Sequence, residues 1–196
     1  MTIRQGLVGV GMTILVFAAG CAGTPKVAAL PEGEWSGDGT FVAQSWPTAT
    51  QPAAGPPTHA TYPTELQISR HAVDGQSLYR VEITSERGTI PGLDGDRTHI
   101  VAYLQELPEQ AGGSIALYRL QSIGMSFTAE PPKQSSGPQE PAATCIVDDD
   151  AQVLQIHYLN GFTEVFRFHR GHVQKAGTFY QSERGLVDWV ESLERE

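Results

Sequence analysis

Short runs of alternating apolar and polar residues predict an all-β chain from residue 35 onward. In residues 79–84, aromatic and aliphatic side chains alternate with charged or polar ones, the period of a strand with one buried face. Gly124 permits a bulge in the fifth run, and splitting that run there would give ten strands. Turn residues separate nine such runs: 35–42, 62–68, 79–84, 99–104, 115–127, 144–147, 153–159, 162–169 and 173–180.

Tight turn sequences predict that these strands form a meander. Asp148–Asp150, Asn160-Gly161 and Arg170-Gly171 are compact turns in succession, so strands adjacent in sequence are expected to be adjacent in the sheet. Closing the meander into a barrel removes the exposed edges of the sheet. We therefore predict an antiparallel, lipocalin-like barrel of nine to ten strands.

Long connections are predicted to gather at one end of this barrel. If the strands run strictly up and down, connections 44–61, 87–97 and 130–142 fall at the same end. Long loops at one rim of a rigid scaffold commonly carry binding residues. Their proline-rich composition suits surface insertions equally well.

The C-terminal residues 184–196 change to a helical period. Ser182 can cap a helix at this point. We therefore expect a short amphipathic helix that packs its Trp189 face on the barrel. The apolar residues on this face are Leu186, Val187, Trp189, Val190 and Leu193.

Residues 1–20 have the layout of an export signal. Arg4 is their only charge, an apolar run covers residues 7–17, and small residues precede Cys21. The run is too short to span a hydrocarbon layer of ~30 Å comfortably. Small residues directly before a cysteine resemble the lipobox of bacterial lipoproteins. A plain secretory signal with a chance cysteine is the alternative.

The lipobox resemblance implies an anchor at Cys21. It implies cleavage before Cys21, diacylglycerol on the Cys21 sulfur and an acyl group on the new amine. Ala22 follows the cysteine, as in lipoproteins of Gram-negative cells that are transported to the outer membrane. The resemblance therefore implies an anchor at the periplasmic face of that membrane. Residues 21–31 are then a lipidated tether, and residues 32–196 form a single domain.

The charge of the chain limits its partners. The net charge is −9, and it becomes −10 when Arg4 leaves with the signal. An acidic domain is not expected to bind nucleic acid or anionic lipid, so the acyl chains are expected to supply the membrane contact. Lipidation of Cys21 leaves Cys145 without a disulfide partner, and we expect Cys145 to be a buried, inert thiol.

The start of the first strand resembles a known group of barrels. Gly33-Glu34-Trp35 resembles the Gly-x-Trp element of lipocalins, and residues 33–39 resemble the start of nitrobindin-type barrels among the calycins. The resemblance implies an antiparallel barrel with a central apolar cavity. Nitrobindins hold haem through a histidine near the C-terminal end, but no matching segment surrounds His169 or His172, so no cofactor is expected.

Catalytic and metal-binding motifs do not occur in the sequence. It contains no Gly-x-Ser-x-Gly, phosphate-loop, dinucleotide or His-Glu-x-x-His motif. His169 and His172 lie across a tight turn, but a zinc or copper site needs three or four ligands. Asp148–Asp150 lacks the spaced ligands of a calcium loop. We therefore expect no enzyme activity and no metal.

Aromatic residues in the middle of predicted strands are the candidate ligand contacts. In a hollow barrel they would line the cavity and suit an apolar or flat ligand, whereas in a filled barrel they would be core. The six are Tyr79, Tyr103, Tyr118, Tyr158, Phe166 and Phe168.

Two functions follow from these expectations. The leading hypothesis is a non-enzymatic, membrane-anchored lipoprotein that binds a small apolar ligand or lipid in its barrel, which requires space at the long-loop rim. The alternative is a structural or assembly lipoprotein of the cell envelope that acts through protein–protein contacts.

Overall fold

The computed structural model describes residues 29–45, 55–89, 95–107, 115–148, 151–158, 162–181 and 185–196. Within this part of the chain, no helix is long and apolar enough to cross a membrane. The predicted signal, residues 1–20, lies outside it. The described regular structure consists of ten strands: β1 Gly33–Ser45, β2 Thr58–Val73, β3 Gln76–Ser85, β4 Thr98–Glu106, β5 Ile115–Ser126, β6 Gln134–Asp148, β7 Ala151–His157, β8 Phe162–His169, β9 His172–Gln181 and β10 Gly185–Arg195.

The ten strands form one closed antiparallel barrel. Each strand is bonded to the strands before and after it in sequence, and β1 pairs with β10 to close the ring. The predictions of an all-β fold, a meander and barrel closure are therefore confirmed. Closure leaves none of the ten strands with an unpaired edge, which satisfies the backbone groups of both terminal strands.

The last strand corrects the prediction of a helix over residues 184–196. β10 pairs with β1 on one side and with β9 on the other. Trp189, Glu191 and Leu193 point inward, whereas Val190 is exposed. The helical spacing arose because apolar residues occupy both faces of this strand. Pairing with two strands that would otherwise be edges outweighs that local preference.

Two other strands differ from their predicted bounds. β5 is a single strand that continues through Gly124, and its register against β6 shifts near Leu120 rather than at the glycine. The tenth strand is therefore β10 and not a second half of β5. β6 begins at Gln134, well before the predicted Thr144, because residues 134–139 pair with β5 beyond the register shift.

The two ends of the barrel differ in their connections. The loop end carries connections 46–57, 86–97, 127–133, 158–161 and 182–184. The opposite end, here the turn end, carries 74–75, 107–114, 149–150 and 170–171. The predicted gathering of long connections at one end is confirmed for 46–57 and 86–97. It is wrong for 130–142, because β6 occupies most of that range and leaves a connection, 127–133, that is shorter than 107–114 at the turn end.

Two of the turns at the turn end consist of two residues with positive φ. Asp74 and Gly75 have φ of 50° and 78°, and Arg170 and Gly171 have 47° and 90°. This is the turn geometry that matches the twist of a tight hairpin. The predicted turn at Arg170-Gly171 is therefore confirmed.

Apolar side chains fill the turn-end half of the interior. The ring centroids of Trp35 and Phe168 lie 5.7 Å apart, and the Arg195 guanidinium carbon lies 5.8 Å from the Trp35 ring centroid. Leu30 is 2% exposed and packs into the same core. Leu30 falls in the range 21–31 that was expected to be a tether, so the packed part of the chain begins before residue 32.

Candidate functional site

Four of the six predicted ligand contacts lie in the filled part of the barrel. Tyr79, Tyr118 and Phe166 are at most 2% exposed. The Tyr79 and Tyr118 rings meet edge to face at 5.9 Å between centroids, and Phe166 stacks on Phe168 at 6.3 Å. These side chains pack on one another, and their role as ligand contacts stays a prediction.

Tyr103 lies on the outer face of the barrel. Its neighbours in β4, Ala102 and Leu104, point inward and are fully buried. The Tyr103 ring instead meets the exposed His71 ring edge-on, with 6.3 Å between centroids. A ligand inside the barrel therefore does not contact Tyr103, which corrects its selection as a cavity-lining residue.

Three charged side chains meet inside the barrel. Lys175 on β9 places Nζ 3.1 Å from Oε1 of Glu164 on β8 and 2.8 Å from Oε2 of Glu191 on β10. Each of the three side chains is at most 2% exposed. We call Glu164, Lys175 and Glu191 the charged cluster. Three neighbouring strands each contribute one charge to it.

Hydroxyl groups supply the other hydrogen bonds of the charged cluster. Tyr62 donates to Oε1 of Glu191 at 2.9 Å, and Thr64 donates to Oε2 of the same carboxylate at 3.0 Å. Tyr158, the last of the six predicted aromatic contacts to be placed, donates to Oε2 of Glu164 at 2.8 Å. Buried charges are tolerated when they are paired and hydrogen-bonded in this way.

Burial and mutual charge shift the ionisation of this cluster. Burial raises the pKa of Glu164, although Lys175 opposes the shift. Burial alone would lower the pKa of Lys175, but the two carboxylates outweigh it and raise that pKa. Burial and an adjacent carboxylate also raise the pKa of Tyr62 and of Tyr158. The ammonium and both phenols therefore keep their protons in neutral solution.

The charged cluster lies between two apolar layers. Along β10, the inward positions are Trp189, then Glu191, then Leu193 toward the turn end. The inward positions of β8 repeat this order, with Glu164 between two phenylalanines. The polar layer therefore separates the filled turn-end core from the aromatic residues near the loop end.

Aromatic rings cluster on the loop-end side of this layer. Phe162 stacks on Trp189 with 5.0 Å between centroids and an interplanar angle of 26°. Phe162 also lies 4.8 Å from the Tyr158 ring and 5.9 Å from the Phe179 ring. These contacts place a continuous aromatic surface between the charged cluster and the loop end.

Five inward-facing apolar residues near the loop end are only partly buried. They lie in the loop-end halves of their strands, they pack against the core, and each keeps part of its surface accessible. An accessible apolar surface inside a barrel suits apolar molecules. We call these five the mouth residues: Ala60, Met125, Phe179, Val187 and Trp189.

Two glycines make room for the large side chains of this region. A Cβ at Gly39 would lie 2.6 Å from the Tyr62 ring and 2.8 Å from Cγ of Glu191. A Cβ at Gly177 would collide with the Trp189 indole. Gly39 is part of the 33–39 segment that resembles nitrobindin-type barrels. The space that a side chain at Gly39 would occupy is taken by Tyr62 and Glu191.

Arg87 ties together the two ends of the 86–97 connection. Its Nε donates to Oγ1 of Thr98 at 2.8 Å, and its Nη1 donates to the carbonyls of Gly88 and Gly95 at 3.3 Å each. Burial lowers the pKa of Arg87, and Asp96 opposes that shift. The guanidinium thereby fixes the described part of one long loop against the rim.

Sequence reasoning missed the charged cluster, although one signal for it was present. Glu164 shares its strand face with Phe162, Phe166 and Phe168, which marks it as an inward charge. The same period places Lys175 with Val173. The second carboxylate, Glu191, reaches the cluster because β10 pairs with β9. The segment that forms β10 was predicted to be a helix.

Other predicted features are only partly described. His169 and His172 face each other across the predicted turn, and Nδ1 of His172 lies 2.7 Å from Glu194. Among the described side chains, no group of three or more His, Cys, Asp or Glu residues could hold a metal ion. Cys21 and the side chain of Cys145 lie outside the described part of the chain.

Neither protein families nor curated proteins supply a relative for this chain. No protein-family model matches the chain. No curated protein matches it either. The site is therefore interpreted from its own contacts.

Proposed function

We propose that this protein is a lipid-anchored, non-enzymatic lipoprotein whose lipocalin-like barrel binds a small apolar ligand at the loop end. The lipobox resemblance at Cys21 supports the anchor. The closed barrel is compatible with ligand binding, because its paired strands fix the positions of the inward-facing residues at the loop end.

The mouth residues are the observation that carries the ligand proposal. Each points inward from the loop-end half of its strand and yet keeps accessible apolar surface. Trp189 and Phe179 supply flat aromatic faces, which give large contact area for little lost conformational freedom. The three charged groups of the cluster already have ion-pair and hydrogen-bond partners within the protein. The ligand contacts are therefore expected to be mainly apolar.

The proposed ligand position is nearer the loop end than the four predicted aromatic residues of the filled core. Tyr79, Tyr118 and Phe166 are covered by other side chains beneath the charged cluster. An apolar ligand would have to cross that polar layer to reach them. We therefore assign the ligand to the space bounded by the mouth residues and by the ring of Phe162.

A fluorescent apolar probe tests the ligand site. Titration of the chain from residue 22 with the neutral fluorophore phenylnaphthylamine should give saturable, one-to-one binding. Val187→Glu should weaken this binding at least about tenfold, because a carboxylate in an apolar site loses its hydration. Val190→Glu is the matched control, since Val190 lies on the same strand but is 62% exposed on the outer face.

The control decides how the probe result is interpreted. Equal loss of affinity in both variants, or no saturable binding by the wild-type chain, would contradict a site at the mouth. Loss in Val187→Glu alone, with unchanged unfolding midpoints for both variants, would support it.

The anchor is tested separately from the ligand. Expression of the full chain in a bacterial host should yield a protein whose mass includes acyl chains at Cys21 and excludes residues 1–20. Cys21→Ser should remove the acyl mass and release the protein from the membrane fraction. A wild-type chain that carries no lipid and remains soluble would contradict the anchor.

The outer surface of the barrel favours a second function, assembly through protein contacts. Val42, Tyr180 and Val190 lie on the three adjacent strands β1, β9 and β10 and are each at least 45% exposed. Exposed apolar side chains gathered on one face suit a protein partner. Val190→Glu should then abolish co-purification of a stoichiometric partner from native membranes and leave probe binding unchanged.

A further inference from the structure

The charged cluster has an excess of negative groups. It holds two carboxyl groups and one ammonium, and all three are at most 2% exposed. With every group ionised, the cluster would carry one uncompensated negative charge inside the barrel. Burying an unpaired charge is among the most expensive arrangements in a protein, and the usual outcome is that the group takes up a proton.

Among the residues that the structure describes, the other ionisable groups that face the cluster do not remove this excess at short range. β2 contributes Tyr62 and Thr64, β3 contributes Ser85 and then Arg87 beyond its end, and Tyr158 follows β7. β1 contributes Gly39, which has no side chain. Arg87 is the other cation among these described groups, and its described hydrogen bonds go to Thr98, Gly88 and Gly95 at the rim.

The hydrogen bonds distinguish the two carboxyl groups. Glu191 accepts from three donors, namely Tyr62, Thr64 and Lys175. Glu164 accepts from two, Tyr158 and Lys175, and Lys175 lies closer to Glu191 than to Glu164. More donors favour the ionised form of a carboxyl group, so Glu191 is the better site for the negative charge.

We propose that the charged cluster holds one additional proton on Glu164, so that a neutral acid, a carboxylate and an ammonium lie together in an electrically neutral interior, and that losing this proton weakens the barrel. A proton on Oε2 of Glu164 can be donated to the Tyr158 oxygen across their 2.8 Å contact, provided that the phenol hydrogen turns away from Glu164. The barrel thereby contains a pH-sensitive element that its surface does not show.

The direction of the pH effect follows from this assignment. Burial raises the pKa of Glu164 above 4.5, its ordinary value. Between 4.5 and the raised value, the native chain binds a proton that the unfolded chain has lost, so stability falls as pH rises through this window. Lys175, Tyr62 and Tyr158 also have raised pKa, and their effects begin only above the ordinary values of 10.0 and 10.5.

Urea unfolding over a series of pH values tests the proposal. The wild-type chain should lose stability as the pH rises from 4.5, the ordinary Glu value, to the raised pKa of Glu164. Glu164→Gln keeps an acceptor for Lys175 and a hydrogen bond to Tyr158 but cannot ionise. Its proton uptake on folding in this window should be smaller than that of the wild type by up to one proton.

Glu65→Gln is the matched control for that variant. Glu65 lies next to Thr64 in β2, but its side chain is exposed on the outer face. It should retain the wild-type pH dependence. A Glu164→Gln profile that parallels the wild type over the whole window would overturn the proposal.

A second measurement does not depend on any variant folding. Carboxyl carbon NMR of wild-type chain labelled at glutamate should show one glutamic acid still protonated at neutral pH. That resonance should disappear in Glu164→Gln if the variant folds. A wild-type spectrum in which every glutamate is ionised at neutral pH would also overturn the proposal.

Discussion

The two halves of the barrel interior are built from the same alternating pattern but hold different chemistry. At the turn end, Leu30, Trp35 and Phe168 form a core that is at most 7% exposed. Toward the loop end, a polar layer of three buried charges underlies aromatic residues that are partly accessible. The comparison shows that a single barrel can hold a sealed core at one end and a polar layer with open apolar surface at the other.

The largest expected effect comes from removing the cation of the polar layer. Lys175→Met should destabilise the barrel by about 3–5 kcal/mol, because it leaves two carboxyl groups buried without their ammonium. Urea unfolding at neutral pH measures the loss, and Lys133→Met, at an exposed position, is the control. A loss of stability no larger than about 0.5 kcal/mol, the range expected for the control, would contradict the distinction between the two halves.

A truncation in the turn-end core comes next in size. Leu193→Ala should cost about 2–5 kcal/mol, since Leu193 is fully buried and the lost side chain leaves a cavity. Val190→Ala on the same strand should stay within about 0.5 kcal/mol, because Val190 is 62% exposed. Probe binding at the mouth should survive Leu193→Ala, and its loss would show that the two halves are not independent.

Adding one methyl group at the polar layer should have an intermediate effect. Gly39→Ala places a Cβ 2.6 Å from the Tyr62 ring, and the crowding should cost about 1–3 kcal/mol. Thermal unfolding checks this against Asp38→Ala, whose side chain is exposed on the outer face. An unchanged midpoint for Gly39→Ala would mean that Tyr62 and Glu191 can move apart freely.

The smallest expected effect concerns the exposed pair at the turn end. Arg70 Nε lies 3.1 Å from Glu32 Oε1, and both side chains are more than 40% exposed. A double-mutant cycle with Glu32→Gln and Arg70→Gln should give a coupling free energy below about 1 kcal/mol. A coupling as large as the loss in Lys175→Met would show that surface pairs rival the buried cluster.

The sequence contained enough information for the strands but not for the interior chemistry. Period-two alternation identified nine strands and the loop-rich end, because one buried face imposes that pattern. The segment 185–195 was misassigned because Leu186 and Val190 make its outer face apolar as well, and only its pairing with both β1 and β9 distinguishes strand from helix. The sequence of this segment alone does not show which strands it pairs with.

The charged cluster illustrates the same limit at the level of single residues. The position of Glu164 among inward phenylalanines could be read from its strand. Its meeting with Lys175 and Glu191 depends on the registers of β8 with β9 and of β9 with β10. Those registers join strands into one ring, and they emerge only when the whole barrel is assembled.

Closure between β1 and β10 also determines the order in which the protein can be completed. Trp35 pairs with Arg195, so the first strand to leave the ribosome finds its second neighbour only after the tenth has been synthesised. Until then β1 and the latest strand present unpaired edges, which are templates for aggregation. Stalled synthesis before residue 185 should therefore yield chains that need a chaperone, however well the first nine strands have formed.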